Sequence, residues 1–303
     1  MKLKIPEKYA ECLRVGTCSW KYDTWKGLLY DEGTKYHRDD YLVDYSKHLN
    51  TVEVDQWFWS LFPGAVKLPD RNAVETCATS VPRDFVFTVK APNSITLTHF
   101  YARQAKQHKD YANRPNDLFL SADLLKRFLK TLEPLRGRLG PVMFQFEYLN
   151  KKKMPSRDDF LARLGEFFDN APDGYLYAVE TRNPNYLSDE YFQFLRDRGL
   201  AHVFLDGYFL PPVGEVFDKY DTATAGFSII RLHGPDRQAI EKVTKKIWNR
   251  VVETRDAGIR SAVEIVKQNA DKAITTYLNV NNHYEGSAPL TIERFLEALK
   301  KAG

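Results

Sequence analysis

The dominant pattern along the chain is a recurrence of short apolar runs separated by amphipathic stretches. Runs rich in aliphatic, β-branched and aromatic residues fall at 13–18, 51–56, 85–90, 141–147, 175–182, 201–206, 227–233 and 274–280. Most are nearly continuous rather than alternating, the signature of parallel strands covered on both faces. Between them, helical spacing of apolar positions predicts helices over 39–49, 121–135, 158–169, 188–198, 238–256, 258–269 and 291–301, with Ser121 as an N-cap. Strands alternating with helices predict a parallel sheet. Eight such pairs predict a closed (β/α)8 barrel of the TIM type rather than an open doubly wound sheet. No GxGxxG or GxxxxGK[ST] loop is present, which removes the usual dinucleotide and P-loop readings. No linker divides the chain, so a single domain over 1–303 is expected, with a core from about 13 to 300. The least regular segment, 93–119, is long for a connection in a compact domain and reads either as a functional lid or as disorder.

Composition narrows the setting. Hydrophobic residues at 43% and charged residues at 28% suit a large core with a wet surface. The net charge of +4, from 44 basic and 40 acidic residues, favours an anionic partner only weakly. Three cysteines, Cys12, Cys18 and Cys77, form no CxxC pair, so a reducing compartment is expected and a disulfide framework is not. Cys18 reads as a small buried hydrophobe, with a reactive thiol as the sharper reading. The N-terminal charges lead into no apolar run, and no stretch approaches the roughly 20 apolar residues of a membrane helix, so a cytoplasmic protein is expected.

In a barrel of this type the C-terminal strand ends converge on one face. Their residues form an uncommon set. The first run leads into Ser19-Trp20 and Trp25, and the second carries Glu53, Asp55 and Trp57. The third ends in Lys90 with His99 beyond, and the fourth carries Gln145 and Glu147. Glu180 and Arg182 end the fifth, Asp206 the sixth, Arg231 and His233 the seventh, and Asn281 and His283 follow the eighth. Strand residues two apart share a side, so Glu53 joins Asp55, Glu180 joins Arg182, and Arg231 joins His233. Ionised groups inside a barrel are costly unless they pair or serve a ligand. One reading is therefore a set of ion pairs that closes the barrel top, such as Glu180 with Arg231. The other is a site.

As a site, Lys90, Arg182 and Arg231 would hold a phosphate or carboxylate. Glu53, Glu180 and His233 are the candidate proton-transfer residues. His99, Gln145 and Asn281 would contact substrate, and Trp20, Trp25 and Trp57 would form a stacking wall unless they are core tryptophans. His99, His233, His283, Glu53, Glu180 and Asp206 include enough ligand types for a metal. No HxH or HExxH spacing supports one, and three nearby cations oppose it, so no cofactor is expected and a divalent metal is the minority reading. In the 93–119 segment, Arg103, Lys106, Lys109 and Arg114 interleave with Tyr101 and Tyr111, a mixture that suits phosphate and base contacts or a solvated excursion.

Several segments together resemble the YecE-like family, domain-of-unknown-function family 72. They are Val15-Gly16-Thr17-Cys18-Ser19-Trp20-Lys21-Tyr22 with Trp25-Lys26-Gly27 and Tyr30, Thr51-Val52-Glu53-Val54, and Phe87-Thr88-Val89-Lys90-Ala91-Pro92 with Ile95-Thr96 and His99. Leu139-Gly140-Pro141-Val142-Met143-Phe144-Gln145-Phe146, Ala178-Val179-Glu180-Thr181-Arg182-Asn183-Pro184, Arg231-Leu232-His233-Gly234 and Asn281-Asn282-His283 follow in order. The resemblance implies a TIM-type barrel and no particular reaction. It carries Glu53, Lys90, His99, Gln145, Glu180, Arg182, Arg231, His233 and Asn281 as motif positions. Two departures touch the pocket floor: Ser19-Trp20 stands where the family has Gly-Trp, and Asp55-Gln56-Trp57-Phe58-Trp59 replaces an Asn-Ser-Thr-Phe-Tyr run.

Three functions follow from these residues: an enzyme acting on a phosphate- or carboxylate-bearing substrate by acid–base chemistry, a metal-assisted phosphodiesterase or nuclease-like hydrolase, and a non-catalytic nucleotide or nucleic-acid binder.

Overall fold

Nearly continuous apolar runs require cover on both faces, and the chain supplies it by closing a ring of eight parallel strands inside a shell of helices. A computed structural model describes residues 3–37 and 39–303; Met1 and Lys2 of the charged N-terminus lie outside the described residues. The ring consists of β1 (Leu13–Thr17), β2 (Thr51–Val54), β5 (Val86–Lys90), β6 (Leu139–Gln145), β7 (Tyr177–Glu180), β8 (Ala201–Gly207), β9 (Phe227–Gly234) and β10 (Thr275–Val280). A two-stranded hairpin, β3 (Leu61–Phe62) with β4 (Ala65–Val66), stands outside it. Pairing runs β1-β10-β9-β8-β7-β6-β5-β2, all parallel. The expected (β/α)8 architecture is therefore present, with strand bounds within about two residues of those read from the apolar runs.

The seam between β1 and β2 closes the ring by other means. One parallel bridge joins Cys18 to Glu53, and the Ser19 amide donates to the Glu53 carbonyl at 3.0 Å. The Asn50 side chain accepts from the Val15 amide at 2.7 Å and donates to the Leu13 carbonyl at 3.1 Å. The buried Tyr45 hydroxyl receives the Thr17 amide at 2.8 Å and donates to the Thr51 carbonyl at 2.9 Å. Side chains thus stitch what ladder bonds stitch elsewhere.

Helical cover comes from α1 (Asp40–Tyr45), α2 (Arg71–Thr79), α4 (Ala122–Thr131), α5 (Arg157–Asp169), α6 (Asp189–Asp197), α7 (Val213–Lys219), α8 (Arg237–Thr244), α9 (Asp256–Asp271) and α10 (Ala288–Ala302), with a single turn α3 (Asn93–Thr96) after β5. Ser121, Ser156 and Ser188 cap α4, α5 and α6 by accepting an amide three residues on. Among the described residues, no helix is long and apolar enough to cross a membrane.

Two expectations need correction. The helix read over 238–256 stops at Thr244, and Lys245 and Lys246 turn left-handed. Tertiary packing overrides local preference there: Trp248 is buried, its amide donates to Thr24 at 3.2 Å, and its ring meets His283 edge-on. The 93–119 segment is neither disordered nor structureless. The α3 turn opens it, a 3-10 turn spans Lys106–Tyr111, and Phe100 bonds back to Arg114. The buried Asn116 amide group donates to the Ser94 and Leu97 carbonyls. The α2 and α7 helices and the hairpin were not read from the sequence.

Gly16 marks how close the seam is. A Cβ there would lie 2.0 Å from the Thr51 carbonyl oxygen. Gly16→Ala is expected to destabilise the fold by about 3 kcal/mol, at the upper end of the usual overpacking cost because the obstacle is backbone; a urea midpoint shift at unchanged slope measures it.

Candidate functional site

Parity along the strands decides what meets inside the ring. Met143, Ala178, Ala201, Val203, Phe227, Ile229 and Tyr277 form a separate apolar cluster. Two residues further along the same faces stand Gln145, Glu180 and Arg231. The barrel interior is thus apolar below and ionic above.

The ionic layer centres on Arg231, which is 1% exposed. Its Nε and Nη2 donate to the two oxygens of Glu53, each at 2.7 Å, a bidentate fork. Its Nη1 donates to Glu180 and, at 3.3 Å, to Gln145. Glu53 and Glu180 are fully buried. Burial pushes the Glu180 carboxyl up, but Arg231, Arg182 and Lys90 outweigh it and hold it below the usual carboxylate range. Desolvation also opposes the Arg231 charge, and the two glutamates more than restore it. The ion-pair reading of the barrel top is therefore correct for these three residues. Glu53 and Glu180, expected as acid and base, spend their lone pairs on Arg231.

Above this layer lies a cavity of about 330 Å³. Glu53, Lys90, Gln145, Arg182, Arg231, His233 and Asn281, all expected in the site, line it. So do Cys18, Asp55, Phe58, Trp59, Tyr101, Tyr208 and Arg237, which were not assigned to it. Lys90 is almost fully buried and its ammonium lies 4.2 Å from the Phe58 ring centroid. Among the described residues it has no hydrogen-bond acceptor, and no carboxylate lies within 4.0 Å. Burial, with Arg231 adding to it, pulls the Lys90 pKa down, while burial pushes the Asp55 carboxyl up. Arg182 reaches Glu180 at 3.3 Å and lies over the Tyr208 ring at 4.3 Å.

At the floor, the Cys18 thiol contacts Glu53 Oε2 at 3.5 Å and His233 Nε2 at 3.4 Å. Burial first, then the Glu53 charge, drives the thiol well above its ordinary pKa. Burial and the surrounding cations drive His233 well below its own, so the imidazole is neutral. One ligand atom from each of Cys18, Glu53 and His233 lies within 4.8 Å of the others, which makes this trio the place a metal ion could be held.

Five expected residues stand elsewhere. Trp20, Trp25 and Trp57 are core tryptophans rather than a stacking wall; after β1 the chain folds inward, so that the Trp25 indole donates to Asn282 at 3.2 Å and the Trp20 carbonyl accepts from Tyr30. His99 lies beyond α3, where it meets the Thr98 hydroxyl at 3.0 Å and pairs in a bridge with Pro115. Asp206 likewise stays off the cavity and accepts from the Tyr284 hydroxyl at 2.8 Å.

Arg231→Met is expected to cost about 3–5 kcal/mol, because it strands two buried carboxylates. Adding Glu53→Gln and Glu180→Gln to it should recover much of that loss, read by chemical denaturation of the single and triple variants.

Stability is also expected to fall below pH 6.5. His233 and the buried His202, whose pKa burial lowers to about 3, stay neutral in the fold but protonate when unfolded. The unfolded state therefore binds more protons, and each histidine removes about 1.4 kcal/mol per pH unit below 6.5. Urea titrations between pH 6 and pH 5 measure the slope, and His202→Phe should reduce it.

A model of the family described as a protein of unknown function, DUF72, matches residues 14–303. Two solved structures of DUF72 family proteins superpose on the chain. That from Thermotoga maritima is 22% identical, covering 95% of this chain and 99% of its own, with a TM-score of 0.66. That from Enterococcus faecalis is 20% identical, covering 95% of each chain, with a TM-score of 0.65. No curated protein matches the chain.

Proposed function

The chain belongs to the DUF72 family, and from that premise and the chemistry of the barrel mouth we propose that it is an enzyme acting on a phosphate- or carboxylate-bearing substrate. One observation carries the reading: Lys90, a buried ammonium with no acceptor among the described residues, faces the cavity beside Arg182. A desolvated cation without a partner is costly, and an anionic ligand removes the cost. Lys90, Arg182, Arg231 and Arg237 are matched in number by Glu53, Asp55, Glu147 and Glu180 around the cavity, so the pull on an anion comes from the placement of Lys90 away from any acceptor and not from net charge.

In this reading, Lys90 and the guanidinium fork of Arg182 grip the anion. Gln145 and Asn281 orient hydroxyl or carbonyl groups. Proton transfer falls to Asp55 and His233: the first is a carboxyl raised by burial, the second an imidazole held neutral, and both line the cavity. Glu53 and Glu180 act through Arg231, which they fix in place.

The Cys18, Glu53 and His233 trio supports a second reading, metal-assisted hydrolysis, in which these side chains would hold a divalent ion, Glu53 sharing its oxygens with Arg231, and the ion would activate water or polarise the substrate. Metal analysis of the purified protein separates the two: a stoichiometric ion lost in Cys18→Ala favours this one, and a metal-free protein indifferent to chelators excludes it.

Thermal-shift titration with inorganic phosphate tests the first reading. Phosphate at about 100 times its dissociation constant should add roughly 2.7 kcal/mol of stability. The gain should vanish in Lys90→Met and in Arg182→Ala. An unchanged gain in both variants, or no gain in the parent, would remove the proposed anion grip.

A further inference from the structure

The cavity accepts a small anion, but its rim is equipped for something larger and flat. Among the described residues, the exposed large aromatic side chains are Trp59 (57% exposed), Phe62 (45%), Tyr101 (43%), Tyr148 (60%) and Phe209 (95%). Trp59 and Tyr101 line the cavity and pack on each other, ring centroids 6.2 Å apart. Tyr148 follows the cavity residue Glu147, and Phe209 follows the cavity residue Tyr208. Two of the five therefore line one opening, and two more directly follow residues that line it. Exposed aromatic surface gathered in one place marks a binding site.

The charges around these rings say what binds. Tyr208 already holds the Arg182 guanidinium against its face. Arg103, Lys106, Lys109 and Arg114 are exposed on the segment that follows Tyr101, and Lys151 and Lys152 are exposed beyond Tyr148. Cations interleaved along the chain with exposed rings suit a chain of phosphates bearing unstacked bases. A neutral sugar polymer would use the rings but leave Lys90 without an acceptor. An inorganic anion would use the cations but leave the rings bare. A duplex keeps its bases inside and cannot reach the rings.

We propose that the mouth of the barrel binds single-stranded nucleic acid, with one phosphate between Lys90 and Arg182 and the flanking bases stacked on Trp59 and Tyr101 to one side and on Phe209 to the other. The assignment rests on the anion grip described above and names the substrate class it serves.

Fluorescence anisotropy of the full chain with a labelled short oligothymidylate, with tryptophan quenching read in parallel, tests it. Binding should weaken with salt, with a slope of about −0.7 per phosphate engaged. Trp59→Ala and Phe209→Ala should each weaken binding by roughly 5- to 100-fold, while in Phe209→Ala, at a site almost fully exposed, the thermal midpoint and the phosphate response stay at the parent values. If phosphate binds and the oligonucleotide binds no tighter, the rim assignment falls and the anion grip stands. If neither binds, both fall. Equal affinity for a duplex of the same length, or unchanged affinity in both aromatic variants, also overturns the assignment, as does quenching by a neutral oligosaccharide without oligonucleotide binding.

Discussion

The fork between Arg231 and Glu53 is the interaction on which the upper barrel depends. It joins β9 to β2 across the ring, and the third guanidinium nitrogen ties in Glu180 from β7. A buried ion pair is weak evidence for stability, since an apolar trio of equal volume often does as well. Its value here lies in geometry. Three charges that cannot leave one another fix three strand ends, and so fix the spacing of Lys90, Arg182, His233 and Asp55 above them.

The same clamp sets the electrostatics of the cavity. By engaging the two glutamates it leaves Lys90 with no hydrogen-bond acceptor among the described residues, while Arg182 shares Glu180 with Arg231. By excluding water from the floor it keeps Cys18 protonated and His233 neutral. The layer that fixes the strand ends is also the one that makes the layer above it receptive.

Much of this was legible in the chain. Continuous apolar runs gave eight parallel strands because a doubly covered strand has no wet face to advertise. The two-residue spacing of Glu180 with Arg182 and of Arg231 with His233 placed the charged residues on one face. Whether a carboxylate there would serve catalysis or hold an arginine was not legible, since that depends on which strand stands opposite. Trp20 and Trp25 show the limit in another way: an aromatic after a strand end reads alike whether its loop turns in or out. The rim residues Tyr208 and Phe209 sit in an irregular loop with no period to reveal them. The Trp57-Phe58-Trp59 run did signal aromatic density near the mouth, yet it splits, with Trp57 in the core and Trp59 in solvent. The α2 helix had a readable start in Asp70, which caps it through the Ala73 amide.

The seam between β1 and β2 carries one more implication. It is held by a single bridge, a few side-chain bonds and the close approach at Gly16, and Ser19 beside it bears a left-handed backbone that glycine would adopt without strain. Cys18 and Glu53 sit on opposite sides of that joint and both belong to the cavity floor. Parting the joint by a few ångströms would dismantle the floor while leaving seven strand pairings and the helices intact. Heat or denaturant would then silence the site before the helical signal of the barrel begins to fall, and the first amides to exchange with solvent would be those of Val15, Thr17 and Ser19.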